Sequence, residues 1–384
     1  MSAEDIDLVK LRREFHRCPE LGLGEERTKA RIKDFLQGLG IETHTGAGVV
    51  GVLRSGHGNR AIGLRAEMDA LPIREQSRHG YPSENPGVMH ACGHDGHMTM
   101  LLGAGRALAA DPGFDGAVVF IFQPDEERGT GAKRMISEGV LERFPIDEVY
   151  AIHNLPGEPL GRVSTRPGLI CSSESLFVLT LRCQGGHASM PQACGDAVTA
   201  GAEIVLALQT IVSRKLAPGS GAVVSVTDFR TDGQRNILPG TAVLKGEVRA
   251  RGASDRDRIE NYLRRITSSI AAAHDVSVSI DFTTEFIETV NAEEPVAAVA
   301  RAAGRAGLDA VADRMPMSFS EDFAQFAAAV PGCLLLLGNG VEGAHGQPLH
   351  ASDYDFNDDL LPLGTALWTE LVRDRLPVQG PARA

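Results

Sequence analysis

Apolar and polar positions in the first part of the chain alternate between two periods. Over 25–40, Ile32, Phe35, Leu36 and Leu39 fall at i, i+3, i+4 and i+7, the stripe of an amphipathic helix. Short β-rich runs follow at 49–53 and 61–64, then at 117–123 and 148–153. Between them, 96–110 is rich in Ala, Leu and Met and predicts a helix. Buried strands alternating with helices predict an α/β layer built on a mostly parallel sheet.

Near Ser173 the pattern changes. A strand is predicted over 176–183, a helix over 197–214, strands over 222–229 and 241–249, a helix over 254–274 and a strand over 276–282. That order, β-α-β-β-α-β, is the ferredoxin-like unit and is complete in about 110 residues. After Asn291-Ala292-Glu293-Glu294-Pro295 the α/β style resumes, with helices over 295–307 and 321–330, a strand over 333–337 and a last helix over 361–374. The predicted architecture is one large α/β domain, 1–173 and 290–384, interrupted by an inserted α+β domain over 174–289.

Length agrees with this, since 384 residues suit two domains better than one core. Composition is globular, with 43% hydrophobic and 23% charged residues. Net charge is −12, from 38 Lys and Arg against 50 Asp and Glu, with no basic run. Nucleic acid and anionic membranes, which demand a basic footprint, are therefore poor partners. The longest apolar runs, such as 117–122, are strand-sized and far short of a membrane span. The first ten residues are acidic and lack a leader pattern, which makes the cytoplasm the default location. Six sparse cysteines without CxxC pairing are expected as free thiols, with one or more a potential ligand.

Candidate chemistry concentrates in a few loops. Met89-His90-Ala91-Cys92-Gly93-His94-Asp95-Gly96-His97 places a thiol and an imidazole two residues apart, before a helix. They can converge on one metal ion, with Asp95 capping the helix or orienting a ligand. Alone, the loop reads equally as incidental, and His90 and His97 read as structural sooner than as ligands. Phe122-Gln123-Pro124-Asp125-Glu126-Glu127 ends a buried strand, where open α/β sheets gather their ligands. Adjacent carboxylates diverge, so one can bind a metal while the other acts as general base. His153 closes another β-rich run, and His350 closes a loop studded with Gly338, Gly340, Gly343 and Gly346. One thiolate, three imidazoles and two carboxylates form a ligand set for two transition-metal ions. His187, between Gly185-Gly186 and Pro191, reads on its own as a turn histidine.

Together these motifs resemble the aminoacylase and carboxypeptidase-type metallopeptidases, in the branch of hippurate hydrolases, N-acyl-amino-acid amidohydrolases and auxin-conjugate hydrolases. The resemblance runs nearly end to end. It includes Leu11–His16 with Pro19-Glu20-Leu21, Leu64–Pro72, Met89–His97, Phe122–Glu127, Gly185–Pro191, Asn236–Pro239, Ser320–Phe323 and Leu349-His350. It implies that Cys92, His94, Glu127, His153 and His350 bind two divalent ions, zinc or manganese first and cobalt or nickel as alternatives. Glu126 becomes the general base, with Asp69 and Asp95 behind the ligands. The insertion becomes a lid that also mediates homodimerisation. His187 is promoted to oxyanion stabiliser, often acting across the dimer, and Asn236 and Arg249 become substrate contacts. Two positions depart from the family pattern: Glu67 stands where Asp is usual, and Gly240 where Asp is common.

The implied reaction is hydrolysis of an N-acyl amino acid to a carboxylic acid and a free amino acid. Benzoyl, acetyl, longer acyl and indole-acetyl substrates all stay open. Two other readings remain: a metal-independent hydrolase with Cys92 as nucleophile, and a binding protein that keeps the fold without turnover.

Overall fold

The computed structural model describes residues 7–378, so most of the acidic N-terminal stretch read above lies outside the described residues. The chain forms two compact units. The first runs to Ile170 and resumes over Thr289–Met315 and from Glu321 onward; the second comprises Cys171–Glu288 with Pro316–Ser320.

In the first unit an eight-stranded sheet has four parallel strands at its centre, in the order Gly116–Gln123, Ala61–Glu67, Glu148–Pro156, Gly332–Gly340. Nearly every residue of these strands is buried, which explains their continuous apolar runs. On one side an antiparallel hairpin, Glu42–Thr45 and Val49–Ser55, extends the sheet. On the other side it is extended by the two-residue strands Val163–Ser164 and Ala310–Val311. The helices His94–Ala110 and Leu360–Arg375 pack together, and their apolar residues join those of the strands in one core.

Several elements differ from the sequence reading. Ala61–Glu67 continues past the expected end at 64, because Arg65 and Glu67 are buried as an ion pair and need no apolar side chain to stay in the sheet. Helix His94–Ala110 starts two residues earlier than expected, which puts His94 in its first turn. The helix expected from 321 begins at Ala324, since Glu321 and Asp322 turn inward to Arg65. Leu8–Arg17 is a helix that the apolar pattern did not indicate, because Arg12 and His16 occupy its buried face beside Leu11 and Phe15.

The second unit carries a four-stranded antiparallel sheet in the order Val223–Thr231, Thr241–Ala250, Ser173–Arg182, Ser277–Phe286. Helices Ala197–Lys215 and Ala253–Ala273 pack together and against this sheet, which is the ferredoxin-like arrangement. The segment Pro316–Ser320 belongs to this unit, outside the expected 174–289 span. Its reason is local: Met317 bridges Cys171, and Ser320 Oγ donates to the Ser172 carbonyl. Ala197–Lys215 is 19 residues long and apolar enough to cross a membrane by length and composition alone; its residues Ala200, Ile204, Leu208 and Ile211 are buried in this unit's core.

Candidate metal centre

The parallel strands deliver their C-terminal ends to one edge of the first unit. Asp69 follows Ala61–Glu67, Asp125-Glu126-Glu127 follows Gly116–Gln123, and His153 lies near the end of Glu148–Pro156. Cys92 precedes the helix whose first residue is His94. Between them Gly93 has φ +92°, and a side chain there would strike Asn154 Oδ1 and Tyr354 Oη, so glycine alone fits. Asp125 is also in the left-handed region, at φ +50°, held by Arg128, Thr130 and the Glu25 carboxylate on its amide. His350, at φ +66°, donates its amide to the Ala91 carbonyl at 2.8 Å and so fastens its loop to the Cys92 loop.

The donors of Cys92, His94 and His153 lie within 4.8 Å of one another, and so do those of Cys92, Glu127 and His350. Cys92 is common to both groups, and His94 joins Glu126 and Glu127 in another. Cys92 Sγ is 3.4 Å from His153 Nε2, and His350 Nε2 is 3.3 Å from Glu127 Oε1. His94 Nδ1 lies 2.8 Å from the Asp69 carbonyl, which only accepts, so Nδ1 carries a proton and Nε2 is the atom turned toward a ligand. His153 is fixed the same way by the Asn154 carbonyl at 2.7 Å. His94 Nε2 and Glu127 Oε1 are buried without a hydrogen-bond partner. Two overlapping donor groups with unpartnered buried atoms are what two neighbouring divalent ions would satisfy.

Without cations in the cradle, its electrostatics keep protons on His94, Glu126 and Cys92. Burial alone would lower the His94 pKa, but the carboxylates of Asp69 and Glu67 hold it up at about 10. Burial and the charges of Glu321, Glu127 and Asp322 push Glu126 well above the usual carboxylate range. Burial and the charges of Glu127 and Glu126 raise the Cys92 thiol, while burial and His97 lower His153 to about 3. A free thiolate–imidazolium pair is therefore disfavoured on both partners, which weighs against Cys92 as a metal-independent nucleophile. Cations in the cradle would reverse that balance, since a coordinating thiol is deprotonated.

Behind the donors stands a charged cluster that the sequence did not single out. Arg65 is buried against Glu67, Glu321 at 3.0 Å and Asp322 at 2.6 Å, and donates to Gln123 at 2.8 Å. Gln123 donates in turn to Asp322, whose amide reaches Glu126 Oε1 at 3.3 Å. Glu67 uses its second oxygen on His97 Nδ1 at 2.9 Å. His97 Nε2 then accepts the Asn154 amide at 2.9 Å, so both of its nitrogens are engaged and neither is left for a metal. Asp69 takes the Glu127 amide at 3.1 Å. Asp95 accepts the Gly96 amide in the first turn of the helix with Oδ1 at 3.0 Å and gives Oδ2 to Arg12 and His16. The cluster's residues were marked only by the Leu64–Pro72, Phe122–Glu127 and Ser320–Phe323 motifs and by the Glu67 departure, none of which joined them.

His187, Asn236 and Arg249 belong to the second unit. The strand Gly186–His187 pairs with Ile237–Leu238, and the Ala188 amide donates to the Asn236 carbonyl at 3.1 Å, so His187 and Asn236 are neighbours on an exposed ribbon. Ser189 Oγ is 2.8 Å from His187 Nδ1. Arg249 stands at the other end of Thr241–Ala250, paired with Glu174 at 3.0 Å and Ser320 at 2.8 Å. All six cysteines are free, as expected.

The model of peptidase family M20/M25/M40 matches residues 63–374. A hippurate hydrolase of Campylobacter jejuni is 35% identical over 370 residues, which are 95% of either chain. IAA-amino acid hydrolase ILR1-like 5 of Arabidopsis thaliana is 34% identical over 95% of this chain and 85% of its own. Among solved structures, the YXEP protein of Bacillus subtilis, described as a dinuclear metal binding peptidase, superposes with a TM-score of 0.82 at 27% identity, covering 96% of this chain and 97% of that one.

Proposed function

Because the chain belongs to peptidase family M20/M25/M40 and is a metal-dependent amidohydrolase, we propose that it hydrolyses the amide bond of N-acyl amino acids. The carrying observation is the pair of donor groups sharing Cys92, with Glu126 beside them. Cys92, His94, Glu127, His153 and His350 would hold two divalent ions, zinc or manganese by the donor set, with cobalt or nickel as alternatives. Such ions supply Lewis acidity toward a carbonyl and make water more acidic.

The chain's own residues supply the rest. Glu126 takes the proton of the attacking water and passes it to the leaving amine. The Asp322 amide on its Oε1, fixed through Gln123 and Arg65, holds one carboxylate oxygen and leaves the other for that proton. His187 stabilises the oxyanion; its Nδ1 contact with Ser189 supports the reading by leaving Nε2 to donate. Asn236, its neighbour, and Arg249 contact the substrate. Hippurate-like and auxin-conjugate substrates are both consistent with the relatives, a hippurate hydrolase and an IAA-amino acid hydrolase.

The test is Glu126→Gln. Metal content and fold should persist while kcat falls by roughly 10²–10⁴; turnover near wild type in the metal-loaded variant would end the proposal. We also propose a homodimer through the second unit, whose Val198, Leu206, Val223 and Ile237 are exposed apolar side chains, Leu206 by 72%. Sedimentation should give a dimer that Leu206→Glu weakens; a monomer at micromolar concentration in the wild type excludes it.

A further inference from the structure

A second set of metal-type donors lies in the first unit and shares no residue with the groups around Cys92. We propose that His16 Nε2, the Glu75 carboxylate and His79 Nε2 form a separate site for a single divalent transition-metal ion.

The three donors lie within 4.8 Å of one another. Glu75 Oε1 is 3.3 Å from His16 Nε2 and 2.9 Å from His79 Nε2. Donors about 2.1 Å from one ion, at tetrahedral to octahedral angles, sit about 3.0–3.4 Å apart, and the two distances from Glu75 are close to that range. His79 Nε2 is the independent sign. Its side chain is only 10% exposed, yet this nitrogen makes no hydrogen bond despite its nearness to Glu75. The approach is misdirected for an N–H donor and suits two ligands facing a shared cation.

Each donor is oriented from behind. His16 Nδ1 lies 2.8 Å from the Asp95 carboxylate, the usual support of a metal-bound imidazole, and Nε2 faces Glu75 Oε1 at 3.3 Å, where an ion would replace its proton. Glu75 Oε2 accepts the Ser83 amide at 2.5 Å, which presents Oε1 to the imidazoles. The His79 ring stacks on Tyr81, centroids 3.9 Å apart and 9° from parallel, and Asp355 holds the Tyr81 hydroxyl at 3.1 Å. Beside the cluster, buried His90 has both ring nitrogens without a partner, its ring 6.4 Å from that of His16. The nearby cations Arg12 and Arg13 are matched by Asp95 and Asp358. Coordination requires His79 to give up a long contact, Nδ1 to the Tyr81 amide at 3.4 Å, so that Nδ1 carries the proton. Two imidazoles and one carboxylate suit zinc, and also cobalt, nickel or manganese, with water completing the shell. The ion would clip helix Leu8–Arg17 to the loop that leads into Cys92.

The experiment counts zinc bound to the purified, zinc-loaded protein after removal of free ion. Wild type should hold about three equivalents and His79→Ala about two, with amide hydrolysis retained. In His153→Ala the third equivalent should persist, so this site is scored even if the hydrolase reading fails. Anomalous difference density between His16, Glu75 and His79 in zinc-soaked crystals provides a measure that does not depend on a variant folding. Equal zinc in wild type and His79→Ala, or no density between the three side chains, overturns the site.

Discussion

At the scale of single side chains, the centre depends on which atom of each donor is left free. Asp69 acts twice: its carbonyl takes His94 Nδ1 at 2.8 Å, and its carboxylate takes the Glu127 amide at 3.1 Å. Replacing Asp69 with Asn keeps the carbonyl but removes the charge beside His94 and offers Glu127 a weaker acceptor. Metal affinity is expected to fall about 10–100-fold, the usual cost of losing a supporting carboxylate. Chelator competition measures this, and an unchanged affinity would show that Asp69 does not orient these ligands. At this scale the donors were legible: Cys92, His94, Glu127, His153 and His350 stand at loop and strand ends, and the motif resemblance drew them together. Arg65, Gln123 and Asp322 were not legible as a unit. Arg65 lies 58 residues from Gln123 and 257 from Asp322, so no local spacing marks the contact.

Elements were read where burial is apolar and missed where it is polar. The helix Glu26–Gly38 buries Ile32, Phe35 and Leu36, and its period is plain in the sequence. Helix Leu8–Arg17 buries Arg12 and His16, and the edge strands Val163–Ser164 and Ala310–Val311 are too short to show alternation. Polar anchoring of elements has a pH signature. Glu148, at the start of a central strand, receives Arg375 from the last helix at 2.8 and 2.5 Å, and Tyr150 at 2.7 Å. Burial would raise its pKa, but Arg375 and Tyr150 outweigh it and the value is lowered. A carboxylate whose folded pKa lies below its unfolded value of about 4.3 stabilises the fold above that pH. The contribution is lost as pH falls through the folded value. Glu148→Gln should therefore destabilise by about 1–3 kcal/mol at pH 7 and flatten the acid limb of the stability profile. Urea midpoints at pH 7 and pH 4 that shift equally would contradict this.

Across the whole molecule, the chain invests in two cores that share no residue. One gathers Leu11, Phe35, Phe120, Ile152, Leu335 and Trp368; the other gathers Phe177, Leu179, Ile204, Leu244, Ile259 and Leu263. All five expected ligands lie in the first unit, as does the buried acidic group Glu67, Asp69, Glu126, Glu321 and Asp322, of which Glu67, Glu321 and Asp322 pair with Arg65. Ions bound to the folded state alone stabilise it by about 2.7 kcal/mol at a hundredfold excess over Kd. They would also offset repulsion within that acidic group. Calorimetry of the metal-loaded protein should then resolve two transitions, and chelation should lower the one belonging to the first unit. The transition of the second unit, which holds no ligand, should stay in place. A single transition that moves as a whole would show that the two cores unfold as one. Two transitions that both ignore the chelator would show that no ion contributes to the stability of the Cys92 centre.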